Sequence, residues 1–293
     1  MQHLVVGATG MVGGEICRLL AASDQPVRAL VRSTSRPERV AELRGLGAAV
    51  VVGDLRSRDS LDAAVKGVDV VFSTATAIGS QQPQDSIEDV DLKGQKSLID
   101  VAVGSRVKRF VYTSVLGLRR DFAFSDAKAS VEEHLRSSGL EYTILQPSCF
   151  MDVWLSPHLG FDYTKGEATI YGDGTSRMRW VHSSDVARVA VAAAGEPAAR
   201  NAILSVGGPQ PLSALEVIAT FEELAGRRFT VNKVPAEQLE AQRASASNPM
   251  EQSFAGLMLR YAAGDPPDAP PLPSALKLEL TSVRDFARQA LAG

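Results

Sequence analysis

The segment Gly7-Ala8-Thr9-Gly10-Met11-Val12-Gly13 spaces three glycines three residues apart, directly after the apolar run Leu4-Val5-Val6. That pattern suits a strand that turns into a helix while its backbone approaches an oligophosphate. Gly7 permits the tight turn, Gly10 leaves no side chain between backbone and diphosphate, and Gly13 lets the helix pack on the sheet. A helix over residues 11–21 then offers unpaired N–H groups and a positive dipole end to the anion. The expected contacts of this turn are Gly7, Thr9, Gly10, Met11, Val12 and Gly13. Glycine is common here, 24 of 293 residues, so the triplet counts only because strand-helix units repeat downstream.

The end of the second strand meets the adenosine ribose in such an arrangement. An acidic residue there would hold a free 2′-hydroxyl. This chain has Arg32-Ser33-Thr34 after Val27–Val31. A guanidinium pairs with a 2′-phosphate and stacks on adenine, so NADP(H) is expected over NAD(H). The plain alternative is a solvated surface arginine. Arg36 is a second candidate partner, or simply the start of the next helix. Asp54-Leu55 follows the third strand, where Asp54 can cap a turn or reach the adenine amino group. Thr74-Ala75-Thr76 closes the fourth strand with small residues that let backbone pass close to a ribose.

Around these positions the chain alternates strand and helix signals. Apolar runs recur at residues 4–6, 27–31, 48–52, 68–72, 110–115 and 142–145. Short Val-rich runs of this kind suit strands buried on both faces of a parallel sheet. Helices are expected over 57–66, 86–103 and 126–138, with Gly67, Gly104 and Gly139 as C-terminal caps. Right-handed crossovers make this an α/β chain with a doubly wound parallel sheet, the Rossmann arrangement. After about residue 150 the rhythm changes. Strands are expected at 168–171 and 178–182, a helix at 184–194, a late strand of the main sheet at 203–206, and further elements at 212–225 and 229–234. The Pro-rich run 266–271 reads as a loop, and Thr281 or Ser282 as the cap of a last helix. The expected division is a dinucleotide-binding domain over 1–150 with a return of the chain near 178–207. A smaller C-terminal α/β substrate lobe takes 151–177 and 208–293.

Composition bounds the function. Hydrophobic residues make up 45%, charged residues 22%, and the net charge is −3. No basic block stands out, so neither nucleic acid nor a membrane is an expected partner. Strand-forming residues begin at position 3, so no secretory leader is expected. No apolar run approaches the roughly 20 residues that span a bilayer. Cys17 and Cys149 and four scattered histidines make no metal pattern. The expectation is a cytoplasmic, metal-free protein acting on a small molecule. Its oligomeric state is not readable, and a homodimer is compatible with it.

The glycine turn, Gly53-Asp54-Leu55, Val71-Phe72-Ser73-Thr74-Ala75 and Phe110-Val111-Tyr112-Thr113-Ser114 together resemble the atypical short-chain dehydrogenase/reductases. Lys128 with Glu132, Ser138-Gly139-Leu140, Tyr142 to Pro147 and Phe150-Met151 resemble the NmrA-like and isoflavone-reductase-like branch, as does Trp180 to Ala187. The resemblance reaches to about residue 235. It implies Ser114 and Lys128 as active-site residues, with Lys128 also on the nicotinamide ribose and Pro147 and Phe150 bordering the nicotinamide. It also exposes a departure. Most short-chain reductases carry Tyr four residues before that Lys, whereas Phe124 stands here and donates no proton. In the isoflavone-reductase-like branch a lysine is taken to act without the tyrosine. A buried ammonium with a lowered pKa could do so; a lysine on an amphipathic helix is otherwise a solvated residue. The substrate-side residues are Phe124, Phe150, Tyr163 and His182, with Tyr171 and Asp152 as further titratable groups of the expected roof.

Two readings follow. One is an NADPH-dependent reductase of a small apolar carbonyl, enone, imine or quinone-like substrate. The other is an NmrA-like NADP(H)-binding redox sensor without turnover, which the missing tyrosine fits. Retention of Lys128 and Ser114 favours the first.

Overall fold

The computed structural model describes residues 1–80, 82–266, 269 and 272–292. In chain order the elements are β1 (His3–Val6), α1 (Met11–Ala22), β2 (Val27–Val31), α2 (Pro37–Gly45), β3 (Ala49–Val52), α3 (Arg58–Val65) and β4 (Val70–Ser73). A π-helix (Ile87–Gly94) runs into α4 (Gln95–Gly104), then β5 (Arg109–Thr113), α5 (Ala123–Ser137) and β6 (Glu141–Pro147). Next come α6 (Met151–Trp154), β7 (Phe161–Asp162), β8 (Glu167–Tyr171), β9 (Arg177–Met178), α7 (Ser183–Gly195) and β10 (Ala202–Val206). The chain closes with β11 (Leu212–Ser213), α8 (Ala214–Ala225), β12 (Thr230–Val234), α9 (Ala236–Ser245), α10 (Pro249–Ala263) and α11 (Val283–Ala292).

Seven parallel strands form the main sheet in the order β10-β6-β5-β4-β1-β2-β3. Each strand alternates its side chains between two apolar layers. Val5, Phe72, Val111 and Leu145 meet α1 and α7 on one face. Leu4, Val71, Phe110 and Ile144 meet α3, α4 and α5 on the other. The fold is α/β with a doubly wound sheet, as the apolar runs imply. The two edge strands depart from two-sided burial: in β10 Ile203 is 36% exposed, and β3 is open further, with Val52 64% exposed.

Because these strands are parallel, every residue that follows one of them sits at the same carboxyl edge. The turn after β1, Thr74–Thr76 after β4, Ser114 after β5 and the segment after β6 therefore share one rim, where open sheets of this kind receive ligands. A small second sheet, β12-β8-β7, and the β11-β9 pair stand beyond that rim. They enclose a separate apolar cluster containing Trp180, Phe221, Tyr171 and Tyr261.

Several local expectations differ from what is observed. The helix expected over 86–103 starts as a π-helix, with Ser86 Oγ accepting from the Asp89 N–H at 3.0 Å. A Cβ on Gly94 would stand 2.7 Å from Leu55 Cβ, so the wide turns need a glycine there to pack on the loop after β3. Gly104 ends α4 without a left-handed conformation; Arg106 takes it instead (φ +58°). Gly67 and Gly139 do adopt positive φ. The strand expected over 178–182 pairs at Arg177–Met178 and again only as a single parallel bridge from Val181 to Phe150. Between those points the Arg179 N–H donates to the Asp265 carboxylate, and the indole of Trp180 donates to the Leu212 carbonyl. Ser282 caps α11 through the Asp285 N–H. Of the Pro-rich run, residues 267, 268, 270 and 271 lie outside the described residues. Among the described residues no helix is long and apolar enough to cross a membrane.

Candidate cofactor and active site

The glycine turn is built for close approach. Gly7 has φ +86°, and a Cβ on it would stand 2.6 Å from Thr74 Oγ1 and 2.8 Å from the Ala75 nitrogen. A Cβ on Gly13 would stand 2.2 Å from the Gly7 carbonyl oxygen. Those two glycines hold the turn against the end of β4 and against α1. Gly10 is different. A Cβ there would meet only the Gly7 carbonyl, at 3.2 Å, and the residue faces outward. Gly10 is the N-cap of α1, with no side-chain cap among the described residues and no acid in the first turn. Met11 is 52% exposed. The first amides of α1 are thus left open, which fits a diphosphate.

Arg32, at the end of β2, pairs with Asp85 (Nη1 to Oδ2, 2.6 Å). Asp85 is nearly buried and also accepts from the Ser80 hydroxyl. A guanidinium carries five N–H donors, so Arg32 keeps others for a phosphate. Ser33 and Thr34 are exposed beside it. Asp54 is held by a fork from Arg56 (Nε 2.9 Å, Nη2 2.6 Å) and accepts from the Arg56 N–H. The Arg56 hydrogen bonds hold its carboxyl below the usual range. Asp54 thus caps its own turn, while Leu55 belongs to the apolar layer beneath. Arg36 is exposed at the start of α2. Arg39, which the sequence reading passes over, reaches back so that Nε donates to the Thr9 carbonyl at 3.4 Å. Its position one turn into α2, after a basic residue and a proline, is the only sequence signal for it.

At the rim after β5, Lys128 is 3% exposed. Its Nζ donates to the Thr113 carbonyl at 3.3 Å and lies 3.4 Å from Asp91 Oδ1. It also stands over the rings of Tyr112 (5.0 Å) and Phe124 (5.3 Å). Asp91 comes from the π-helix and is fully buried; its Oδ2 accepts the Ala77 N–H at 2.8 Å. Burial pulls the Lys128 ammonium down from its ordinary pKa, and Asp91 and Glu132 partly oppose this. Burial pushes the Tyr112 phenol well up. Among the described residues the Tyr112 hydroxyl and the Ser114 hydroxyl are buried without a hydrogen-bond partner. The motif reading missed Asp91, because an acid on a helix usually faces water. Next to it, Gln95 accepts from Ser73 Oγ at 2.7 Å and donates to the Ala75 carbonyl at 2.9 Å, tying the π-to-α junction to the rim after β4.

Phe124 sits in an apolar cluster with Ile87, Phe122 and Ala127, against Met250 and Leu257 of α10. Its N–H donates to Ser253 Oγ, which seats α10 on α5. After β6, the Pro147 carbonyl accepts from Leu116, and Phe150 bridges Val181. The structure therefore brings together Lys128, Ser114, Phe124 and, across the β5–β6 rim, Pro147. Tyr163 and His182 are placed elsewhere. Tyr163 stacks on Phe221, with centroids 5.9 Å apart. His182 caps α7 through the Ser184 N–H, and its ring lies 5.8 Å from that of Phe286. Asp152 accepts from Ser183 at the same helix start. Tyr171 meets Trp154 and Tyr261 in the aromatic cluster around Trp180. These groups cap a helix or pack in that aromatic cluster.

The NmrA-like family model matches residues 2–265. The chain belongs to the NmrA-like family. This NmrA-like chain is 32% identical over 294 residues to an NAD(P)H azoreductase from Xenophilus azovorans, covering 99% of the chain and 96% of the relative. It is 30% identical over 247 residues to the photosystem II assembly factor Ycf39 of Cyanophora paradoxa, covering 83% and 74%. A solved isoflavone reductase superposes with TM-score 0.78 at 24% identity, over 99% of each chain. The family match agrees with the resemblance read from the sequence.

Proposed function

We propose that the protein is an NADPH-dependent reductase of a small, apolar carbonyl, enone, imine or quinone-like acceptor. The observation that carries this is the pairing of an uncapped α1 N-terminus with a buried Lys128 on the same rim of one parallel sheet. The azoreductase relative, similar over nearly its whole length, supports a nicotinamide-dependent reaction.

Bound NADPH supplies the hydride. The open amides of α1 and the turn Gly7–Gly13 hold the diphosphate, with Thr74–Thr76 alongside. Arg32, Ser33 and the neighbouring Arg39 take the 2′-phosphate, which makes NADP(H) the preferred coenzyme over NAD(H). Lys128 holds the proton that the tyrosine of other short-chain reductases would deliver. Its Nζ is fixed by the Thr113 carbonyl and Asp91, and burial lowers its pKa, which eases release of that proton. The unpartnered Ser114 hydroxyl is free to donate to an acceptor oxygen or nitrogen. Phe124 and Phe150 wall the site and keep water out. The lobe of 151–177 and 208–293 completes the acceptor pocket through α10. The protein acts on small molecules in the cytoplasm.

The test is NADPH oxidation with quinones, enones, azo dyes and aromatic ketones. Turnover that disappears in Lys128→Ala with NADPH affinity retained supports the reading. A second reading, coenzyme binding without turnover, is favoured by the depth of Lys128 and by the assembly-factor relative. Tight NADPH binding with no oxidation on any acceptor would establish it instead.

A further inference from the structure

One ion pair in the C-terminal lobe has no part in the site so far. Arg260, in the last turn of α10, and Asp265, just beyond it, expose only 10% and 9% of their side chains and meet at 3.4 Å. Arg260 Nε donates to the Leu116 carbonyl, and Nη1 lies 3.8 Å from Cys149 Sγ. Asp265 accepts from the Ser148 hydroxyl (2.8 and 2.7 Å to its two oxygens) and from the Arg179 N–H (2.6 Å). Leu116 follows β5 and Ser148 follows β6. Between those segments the Ser114 N–H donates to the Leu145 carbonyl (2.7 Å) and the Leu116 N–H to the Pro147 carbonyl (3.0 Å). The ladder therefore continues past the end of β5 to the last residue of β6, and the ion pair closes its open end.

We propose that Arg260 and Asp265 are positioning residues. They fix the spacing between the segment bearing Ser114 and the segment bearing Phe150, and so set the width of the acceptor pocket from the C-terminal lobe. An apolar pair would serve stability as well or better, since burying two charges is expensive. Trp180, Met178 and Tyr261 form an apolar cluster close by that could have extended into this place. What an apolar pair lacks is a planar fork that holds a backbone carbonyl on one side and a carboxylate on the other. Gly117 (φ +74°) brings the chain so close that a Cβ there would stand 3.3 Å from Arg260 Nε. The inference rests on the reductase reading only for the part of its test measured in turnover.

The experiment compares Arg260→Met, Arg260→Lys and the double variant Arg260→Met/Asp265→Leu with the wild type, by amide exchange, Tm, NADPH affinity and steady-state kinetics. The double variant is expected to regain most of the Tm lost in Arg260→Met. Its amides at 113–118 and 148–151 should still exchange on the order of tenfold faster, with those at 7–13 unchanged. Its kcat should fall on the order of tenfold to a hundredfold with NADPH affinity intact. Arg260→Lys should recover part of kcat. A double variant with wild-type exchange in both segments, or with wild-type kcat, overturns the proposal. If the double variant does not fold, Arg260→Lys and Asp265→Asn carry the same comparison. If the wild type turns over no acceptor, the reductase reading fails and amide exchange alone decides this one.

Discussion

Asp91 Oδ1 and Lys128 Nζ lie 3.4 Å apart, on two different helices, where neither side chain reaches water. The pair makes the charge state of Lys128 a property of the π-helix as much as of α5. Removing one partner strands the other. Lys128→Met is expected to destabilise the fold by about 3–5 kcal/mol, and Asp91→Asn/Lys128→Met to recover most of that. Urea unfolding of the two variants checks it; equal losses in both would mean that the pair is not coupled.

The same lysine gives stability a pH slope. Its native pKa is lowered from the ordinary 10.5, chiefly by burial. Between the lowered value and 10.5 the unfolded chain binds more protons than the folded one, so stability rises with pH across that window. Below it the penalty of a buried ammonium is fully present. Denaturation midpoints measured on the alkaline side should show this rise in the wild type, and a flatter profile in the double variant that removes both charges.

The three glycines should separate by role. Gly13→Ala puts a Cβ within 2.2 Å of the Gly7 carbonyl, so the turn must open and the Tm should fall sharply. Gly10→Ala meets one atom, at 3.2 Å, and should keep most of the stability while weakening NADPH, because its Cβ stands where the diphosphate must approach. Calorimetry with and without coenzyme distinguishes the two. A Gly10→Ala protein with unaltered affinity would remove the phosphate from this turn.

Arg32→Ala and Arg39→Ala should each weaken NADPH more than NADH. A lost charge-assisted hydrogen bond is worth about 1.5–3 kcal/mol, or roughly ten- to a hundredfold in affinity. Equal losses for both coenzymes in fluorescence titrations would defeat the 2′-phosphate assignment.

Both cysteines are buried, and burial pushes Cys17 to about 12 and Cys149 to about 11. Reactivity follows the thiolate, so neither should react with a disulfide reagent near neutral pH while the protein is folded. Two thiols per chain should appear on unfolding. Release of one thiol from native protein would mean that its segment opens.

What the sequence disclosed and what it hid follow one physical line. The sheet was legible because each strand's burial is written locally, as in Val27–Val31. The glycine turn was legible because backbone approach demands residues without side chains. The π-helix was not, since residues 86–103 carry the periodicity of an ordinary helix and the widening arises where Gly94 meets Leu55, about forty positions away. Asp91, Arg39, Arg260 and Asp265 were invisible for a related reason. A charged residue on a helix or loop reads as solvated until the chain folds a distant carbonyl or counter-charge against it. The run 178–182 misled because its aromatic and branched residues suit a continuous strand, whereas Arg179 and Trp180 in its middle turn to a carboxylate and a lone carbonyl and leave pairing only at Met178 and Val181.

The helix that carries Asp91 changes pitch midway. Residues in π turns advance by less than the about 100° of a regular α-helix, so rewinding Ile87–Gly94 as ordinary α-helix would rotate Asp91 about the axis relative to Gln95. Asp91 would then point away from Lys128 while Gln95 stayed on the Ala75 carbonyl. The electrostatic tuning of the lysine is in this sense stored as a phase offset along one helix, and a change of winding there would detune it with every side chain still present.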